Sequence, residues 1–180
     1  MHIKLSRFLS FILRHQPQAI GMKLNEEGYV NVSELLNAIN NETKFNITMN
    51  TLQEIVNEDD KNRYSFNHDK TMLRANQGHS INVNVGLIEK QPKRNLYHGT
   101  STKYMDNIRN QGLTKGKRLY VHLSDSRLTA KEVGARHGKP VVLMINIDSM
   151  IKDGYKFYQS ANKIWLTEEV PAKYIKELNV

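Results

Sequence analysis

The chain has 180 residues, 39% of them hydrophobic and 24% charged, which suits one large or two small domains and argues against wholesale disorder. It contains no cysteine, so a disulfide scaffold, a thiolate metal site and a cysteine nucleophile are excluded. The net charge of +8 is one-sided: residues 1–90 carry 10 Lys+Arg against 10 Asp+Glu and residues 91–180 carry 16 against 8, an excess that suits a polyanionic partner or simply solubility.

In chain order, Leu5, Phe8, Leu9, Ile12 and Leu13 recur at helical spacing and predict an amphipathic helix. It stops at Arg14-His15-Gln16-Pro17. Polar residues interrupt this segment, which reads as neither a signal peptide nor a membrane span. Asn31-Val32-Ser33-Glu34 leads into a second helix through Leu35, Leu36 and Ile39, with Ser33 or Asn31 as its cap. Thr48 or Asn50 opens a third helix, with Leu52, Ile55 and Val56 apolar. Tyr64 and Phe66, a turn at Asn67-His68-Asp69-Lys70, and Met72-Leu73 then read as a β-hairpin. Three helices followed by a hairpin suggest a small winged-helix-like domain.

Residues 86–95 are polar, contain Pro92 and coincide with the charge step, so they read as a linker. Beyond them the pattern changes to short strands and helices. A strand starts at Leu96-Tyr97, and residues 104–110 form a helix with Gly112 just past its end. Residues 119–123 form a strand, and residues 128–133 a helix ending at Gly134. The apolar run 141–147 is a buried strand, and 155–158 and 164–166 are two more. There are no internal repeats.

Several short stretches carry chemistry. Arg14 lies off the apolar stripe and His15 follows it, a placement that also suits a C-terminal helix cap. Arg74 and His79 flank Gln77-Gly78, where glycine permits a tight turn, although a solvated hairpin exit would look the same. In LYHGTS (residues 96–101) a strand ends in histidine, glycine and hydroxyls. Such an end can hold a nucleotide by backbone groups, or merely turn. The pattern is not GxGxxG, so a Rossmann site is unsupported. Alternation places His122 and Ser124 on one face of their strand, with Val121 and Leu123 on the other. A structural role suits His122 as well as a functional one. Arg136 sits in a glycine-flanked loop, either a phosphate contact or a basic surface turn. Taken together, arginines at three turns suggest a phosphate clamp, because guanidinium matches phosphate oxygens. There is no HExxH, P-loop, acidic dyad or serine triad pattern, so metal chemistry is not expected.

The segments LSRFLSFILRHQP, GYVNVSELL, LRANQGHS, LYHGTS, VHLSDS, ARHGKPVVL and WLTEEVP, in that order and spacing, identify a resemblance. Over nearly its full length the chain resembles the KptA-type RNA 2'-phosphotransferases, also called tRNA 2'-phosphotransferases. The resemblance implies an α+β fold. A winged-helix-like RNA-binding lobe would cover residues 1–88, and an ADP-ribosyltransferase-like, mixed-β, NAD-binding lobe residues 93–180. It implies a cytoplasmic, monomeric tRNA-processing enzyme of the kind that serves tRNA splicing, one that consumes NAD, uses no metal and removes an internal 2'-phosphate from RNA. That phosphate would expel nicotinamide to give an RNA 2'-phospho-ADP-ribose intermediate. The ADP-ribose 2''-hydroxyl would then attack phosphorus, releasing 2'-OH RNA and ADP-ribose 1'',2''-cyclic phosphate.

By motif the family's catalytic tetrad falls on Arg14, His15, Arg74 and Arg136. His98, Gly99, Thr100, Ser101, His122 and Ser124 would line the NAD cleft. His79 would contact RNA or phosphate alongside the tetrad. Glu168 and Glu169 read as surface acids, with no glutamate assigned to activate an acceptor. An ADP-ribosyltransferase acting on terminal phosphates of nucleic acid would use the same residues and stop after the first step. A winged-helix nucleic-acid binder without enzymatic activity fits less well, because the first half of the chain is neutral.

Overall fold

The computed structural model describes residues 2–178, which divide between two units, Met1–Gly86 and Leu87–Val180, each with its own core. Together they make a mixed α+β protein. Among the described residues no helix is long and apolar enough to cross a membrane.

In the first unit, α1 (Ile3–Arg14) buries Leu5, Leu9, Ile12 and Leu13, the stripe read from the sequence. Pro17 opens a turn of 3₁₀ helix that closes at Gly21, where φ is 67°. Strand β1 (Tyr29–Asn31) precedes α2 (Val32–Glu42). Asn31, not Ser33, caps that helix, its Oδ1 accepting from Glu34 N at 3.1 Å. Thr48 rather than Asn50 caps α3 (Met49–Asn57), its side chain accepting from Thr51 N at 3.2 Å. The expected hairpin is β2 (Tyr64–Phe66) and β3 (Met72–Ala75). Strand β1, which three residues were too few to announce, adds antiparallel to the other edge of β3 in the order β1-β3-β2. That pairing sets Tyr29 opposite Arg74. Leu9, Leu35, Ile39, Leu52 and Leu73 lie fully enclosed where the helices meet this sheet.

The second unit begins earlier than the linker reading allows. Residues 88–89 form β4 (Ile88–Glu89), whose partner is β9 (Tyr158–Gln159). Strand β5 (Leu96–Ser101) is followed by α4 (Met105–Gln111) and β6 (Leu113–Thr114). Next come β7 (Val121–Leu123), α5 (Arg127–Ala135), β8 (Pro140–Ile145) and α6 (Ile147–Lys152). After β9 the chain forms β10 (Trp165–Thr167), β11 (Glu169–Val170) and β12 (Ile175–Leu178).

The apolar run 141–147 is a buried strand, as expected, through Ile145. Asn146 breaks it and caps α6, its Oδ1 accepting from Ser149 N at 3.1 Å. Three antiparallel sheets result, ordered β4-β9-β10-β7, β11-β6 and β12-β8-β5. Strands β5 and β8 pair over six residues, and α5 lies directly on β5. A Cβ at Gly99 would collide with the Ala130 carbonyl, and one at Gly134 with the Thr100 carbonyl. The two glycines therefore allow a backbone-to-backbone contact that no other residue permits.

Candidate active site

In the first unit the end of α1 and the exit of β3 are tied together. Ser80 N–H donates to the Arg14 carbonyl at 3.0 Å, and His15 Nδ1 lies 2.9 Å from Ser80 Oγ. Gly78, at φ 89°, turns the chain between them. The Arg14 side chain packs where a Gly78 side chain would stand, with Nη1 3.6 Å from the would-be Cβ. Arg74 projects from β3 over the ring of its register partner Tyr29, 4.6 Å from the centroid, and Nη1 donates to the Glu27 carbonyl at 3.3 Å. Neither a ring nor a carbonyl cancels its charge. Arg74 Nε is also buried without a hydrogen-bond partner. Arg14 and His15 from one motif and Arg74 from another are thus brought together around the LRANQGHS turn, where the charges of all three act on His79.

His79 is placed differently from the expected phosphate contact. It is 2% exposed, with Nε2 buried and unpartnered beside the Gly28 turn. Burial, then the charges of Arg14, His15 and Arg74, lower its pKa to about 4, so the ring is neutral at physiological pH. It is an uncharged packing element behind a group of cations, not a surface ligand. Ser80 and Tyr29 were not foreseen as site residues. Both stand in motifs quoted above, but their contacts arise only when β1 pairs with β3 and the strand exit meets α1.

In the second unit, Tyr97 and Ser124 exchange backbone hydrogen bonds of 2.7 and 2.8 Å, joining β5 to the end of β7. His98 Nδ1 lies 2.9 Å from the His122 carbonyl. A carbonyl only accepts, so Nδ1 carries the proton and Nε2 of the neutral ring is an acceptor. Burial lowers the His98 pKa; the His122 carbonyl opposes this, and the Arg118 and His137 charges add to it.

Ser124 Oγ accepts from Ser126 N at 3.0 Å and so shapes the entry to α5. Thr100 and Ser101 are enclosed, with Ser101 Oγ unpartnered beside the Gly138 turn. Gly99 has a packing duty under α5. Arg136 is exposed at the C-terminal cap of α5, in the loop whose Lys139 carbonyl receives Thr102 N at 3.0 Å. His122 and Ser124 meet β5 through the His98–His122 contact and the Tyr97–Ser124 backbone pair. Among the described residues there is no cluster of three His, Asp or Glu side chains arranged to hold a metal ion.

In this α+β protein, guanidinium groups and a histidine beside a glycine turn offer donors of the kind that suit phosphate or another oxyanion. Comparison with known proteins narrows that class. The profile of the family described as RNA 2'-phosphotransferase, Tpt1 / KptA family, matches residues 1–169. A protein of Fusobacterium nucleatum subsp. nucleatum named "Probable RNA 2'-phosphotransferase" is 49% identical over 175 residues, 97% of each chain. One of the same name from Flavobacterium johnsoniae is 45% identical, over 96% of this chain and 94% of its own. Another, from Escherichia coli O6:K15:H31, is 44% identical over 95% and 93%. The chain belongs to the RNA 2'-phosphotransferase family and is a transferase.

Proposed function

We propose that the chain removes an internal 2'-phosphate from RNA by transferring it to ADP-ribose drawn from NAD. The observation that carries this reading is the convergence of Arg14, His15 and Arg74 at the Gly78 turn, with the Arg74 guanidinium held by groups that leave its charge intact. Such a site attracts a dianion and orients it bidentately. The first unit, three helices with a three-stranded sheet whose β2–β3 hairpin forms the wing, is read as winged-helix-like. The second is read as ADP-ribosyltransferase-like.

The residues suit a dinucleotide. A neutral His98 with Nε2 as acceptor favours a ribose hydroxyl over a phosphate, and the backbone of β5 offers the neighbouring polar groups. When bound, NAD supplies the electrophilic ribose carbon. The 2'-phosphate is already anionic, so the first step calls for positioning rather than deprotonation, and arginines suffice. In the second step a ribose hydroxyl attacks phosphorus. Arg14, Arg74 and Arg136 are assigned to the charge growing on its oxygens, and His15 to the hydroxyl proton.

The test is mass analysis of products from NAD and an oligonucleotide bearing one internal 2'-phosphate. Nicotinamide, 2'-OH RNA and ADP-ribose 1'',2''-cyclic phosphate are expected. His15→Ala and Arg136→Ala should accumulate the ADP-ribosylated RNA. Absence of nicotinamide release from the parent overturns the reading.

A further inference from the structure

Helix α1 has a second face. Against the buried Leu5, Leu9, Ile12 and Leu13, the side chains of Ile3, Arg7 and Phe11 are exposed, and Phe11 keeps 41% of its surface in solvent. Positions 3, 7, 11 and 15 recur every four residues, so they form one line along the helix, with steps of about 6 Å, that ends at His15. The Phe11 and His15 rings are neighbours on that line, with centroids 6.4 Å apart and planes inclined at 48°. A lone exposed aromatic calls for no explanation. This one borders His15, which the proposed function places at the phosphate.

We infer that Phe11 is a stacking platform for an unpaired base of the RNA, one belonging to or next to the nucleotide that bears the 2'-phosphate. The inference rests on the proposed function, which puts that phosphate at Arg14, His15 and Arg74. Phosphate contacts alone leave a nucleotide free to swivel about its phosphate. An aromatic face one helical turn away removes that freedom without choosing among bases, because every base has a π-face. An apolar protein segment is the poorer occupant. Arg7 interrupts the line between Ile3 and Phe11, and Lys4 is exposed beside it, so the face offers a ring among cations rather than a continuous apolar strip.

The test uses the full chain and a set of fluorescent oligonucleotides with one internal 2'-phosphate. One has all its bases. The others are abasic at the phosphorylated nucleotide or at either neighbour. Dissociation constants are measured for the parent and for Phe11→Ala, Phe11→Leu and Phe11→Trp. Stacking contributes enough that Phe11→Ala and Phe11→Leu should each weaken binding of the complete oligonucleotide about tenfold, with Phe11→Trp close to the parent. One abasic position should weaken the parent by the same factor, and on that oligonucleotide Phe11→Ala should cost nothing more. Full affinity in Phe11→Ala or Phe11→Leu overturns the inference, as does an equal loss on every abasic oligonucleotide. Failure of the underlying reading looks different: the parent itself would bind no more tightly with the 2'-phosphate than without it, and no nicotinamide would appear.

Discussion

Because His79 is held neutral, acid should loosen the first unit. Its pKa stands near 4 in the folded chain against a usual 6.5. Between those values the unfolded chain binds the proton and the folded chain does not. Stability from this residue is therefore complete above pH 6.5 and lost as the pH falls toward 4, at about 1.4 kcal/mol per unit. From pH 7 to pH 5 the loss is about 2 kcal/mol, roughly 10 °C of melting temperature for a unit of this size. The comparison is urea unfolding at both pH values, followed by far-UV circular dichroism, for the parent and for His79→Gln, which cannot titrate. The variant's own starting stability is immaterial; the difference in pH dependence isolates His79 from the carboxylates. Fluorescence of Trp165, the single tryptophan and part of the second core, reports on the other unit as an internal control. Equal losses in parent and variant, or an NMR titration that places the His79 ring at pH 6 or above, would refute the reasoning.

Other substitutions probe the remaining contacts. Gly99→Ala forces a methyl into the Ala130 carbonyl and should cost the second unit about 3 kcal/mol, read as a lower urea midpoint by Trp165 fluorescence; an unchanged midpoint would show that α5 can lift from β5 freely. Ser80→Ala removes the partner of His15 Nδ1, and a net hydrogen bond of about 1 kcal/mol translates into a roughly fivefold fall in kcat/KM. Ser80→Thr should restore it; turnover at parental rates in the alanine variant would remove Ser80 from the site. Arg74→Lys keeps the charge but loses the planar fork and the stacking on Tyr29, so affinity for 2'-phosphorylated RNA should drop about tenfold or more by fluorescence anisotropy. Parental affinity would mean that the position needs only a cation.

The elements that could be read in advance are those whose sequence carries its own periodicity or punctuation. Helix α1 has five apolar residues at helical spacing and a proline behind it, and it ends at Arg14 as expected. The turn between β2 and β3 shows the polar residues that turns require. Elements that depend on a distant partner left no such mark. Strand β1 has three residues and exists because β3 offers an edge. Strand β4 occupies two residues of a segment whose composition reads as linker, and β9 alone makes it a strand. The run 141–147 is a strand to Ile145 as its apolar character predicts, and it ends there because the Asn146 side chain can accept from a backbone N–H three positions on and so start a helix.

At the site, residue type was legible and burial was not. Arginine signals itself, because it rarely goes wholly inside and stands out next to glycine turns. Histidine does not, since the same ring serves as ligand, cap or packing group according to what surrounds it. By motif His15 is expected in the catalytic tetrad and His79 as an RNA or phosphate contact beside it. The fold separates them. Ser80 fastens the ring of His15 at the end of α1, while His79 turns inward under Arg14 and Arg74, where ionisation is suppressed. That difference follows from direction along β3. Residues 72–75 alternate between half-buried and buried, which leaves Arg74 half-buried beside Tyr29; Gly78 at positive φ then redirects the chain so that His79 points back toward the core and Ser80 toward His15. The glycine in LRANQGHS thus decides which of its neighbours turns inward and which meets His15. A residue that cannot adopt φ 89° at position 78 would be expected to disturb both the burial of His79 and the Ser80–His15 bond at once.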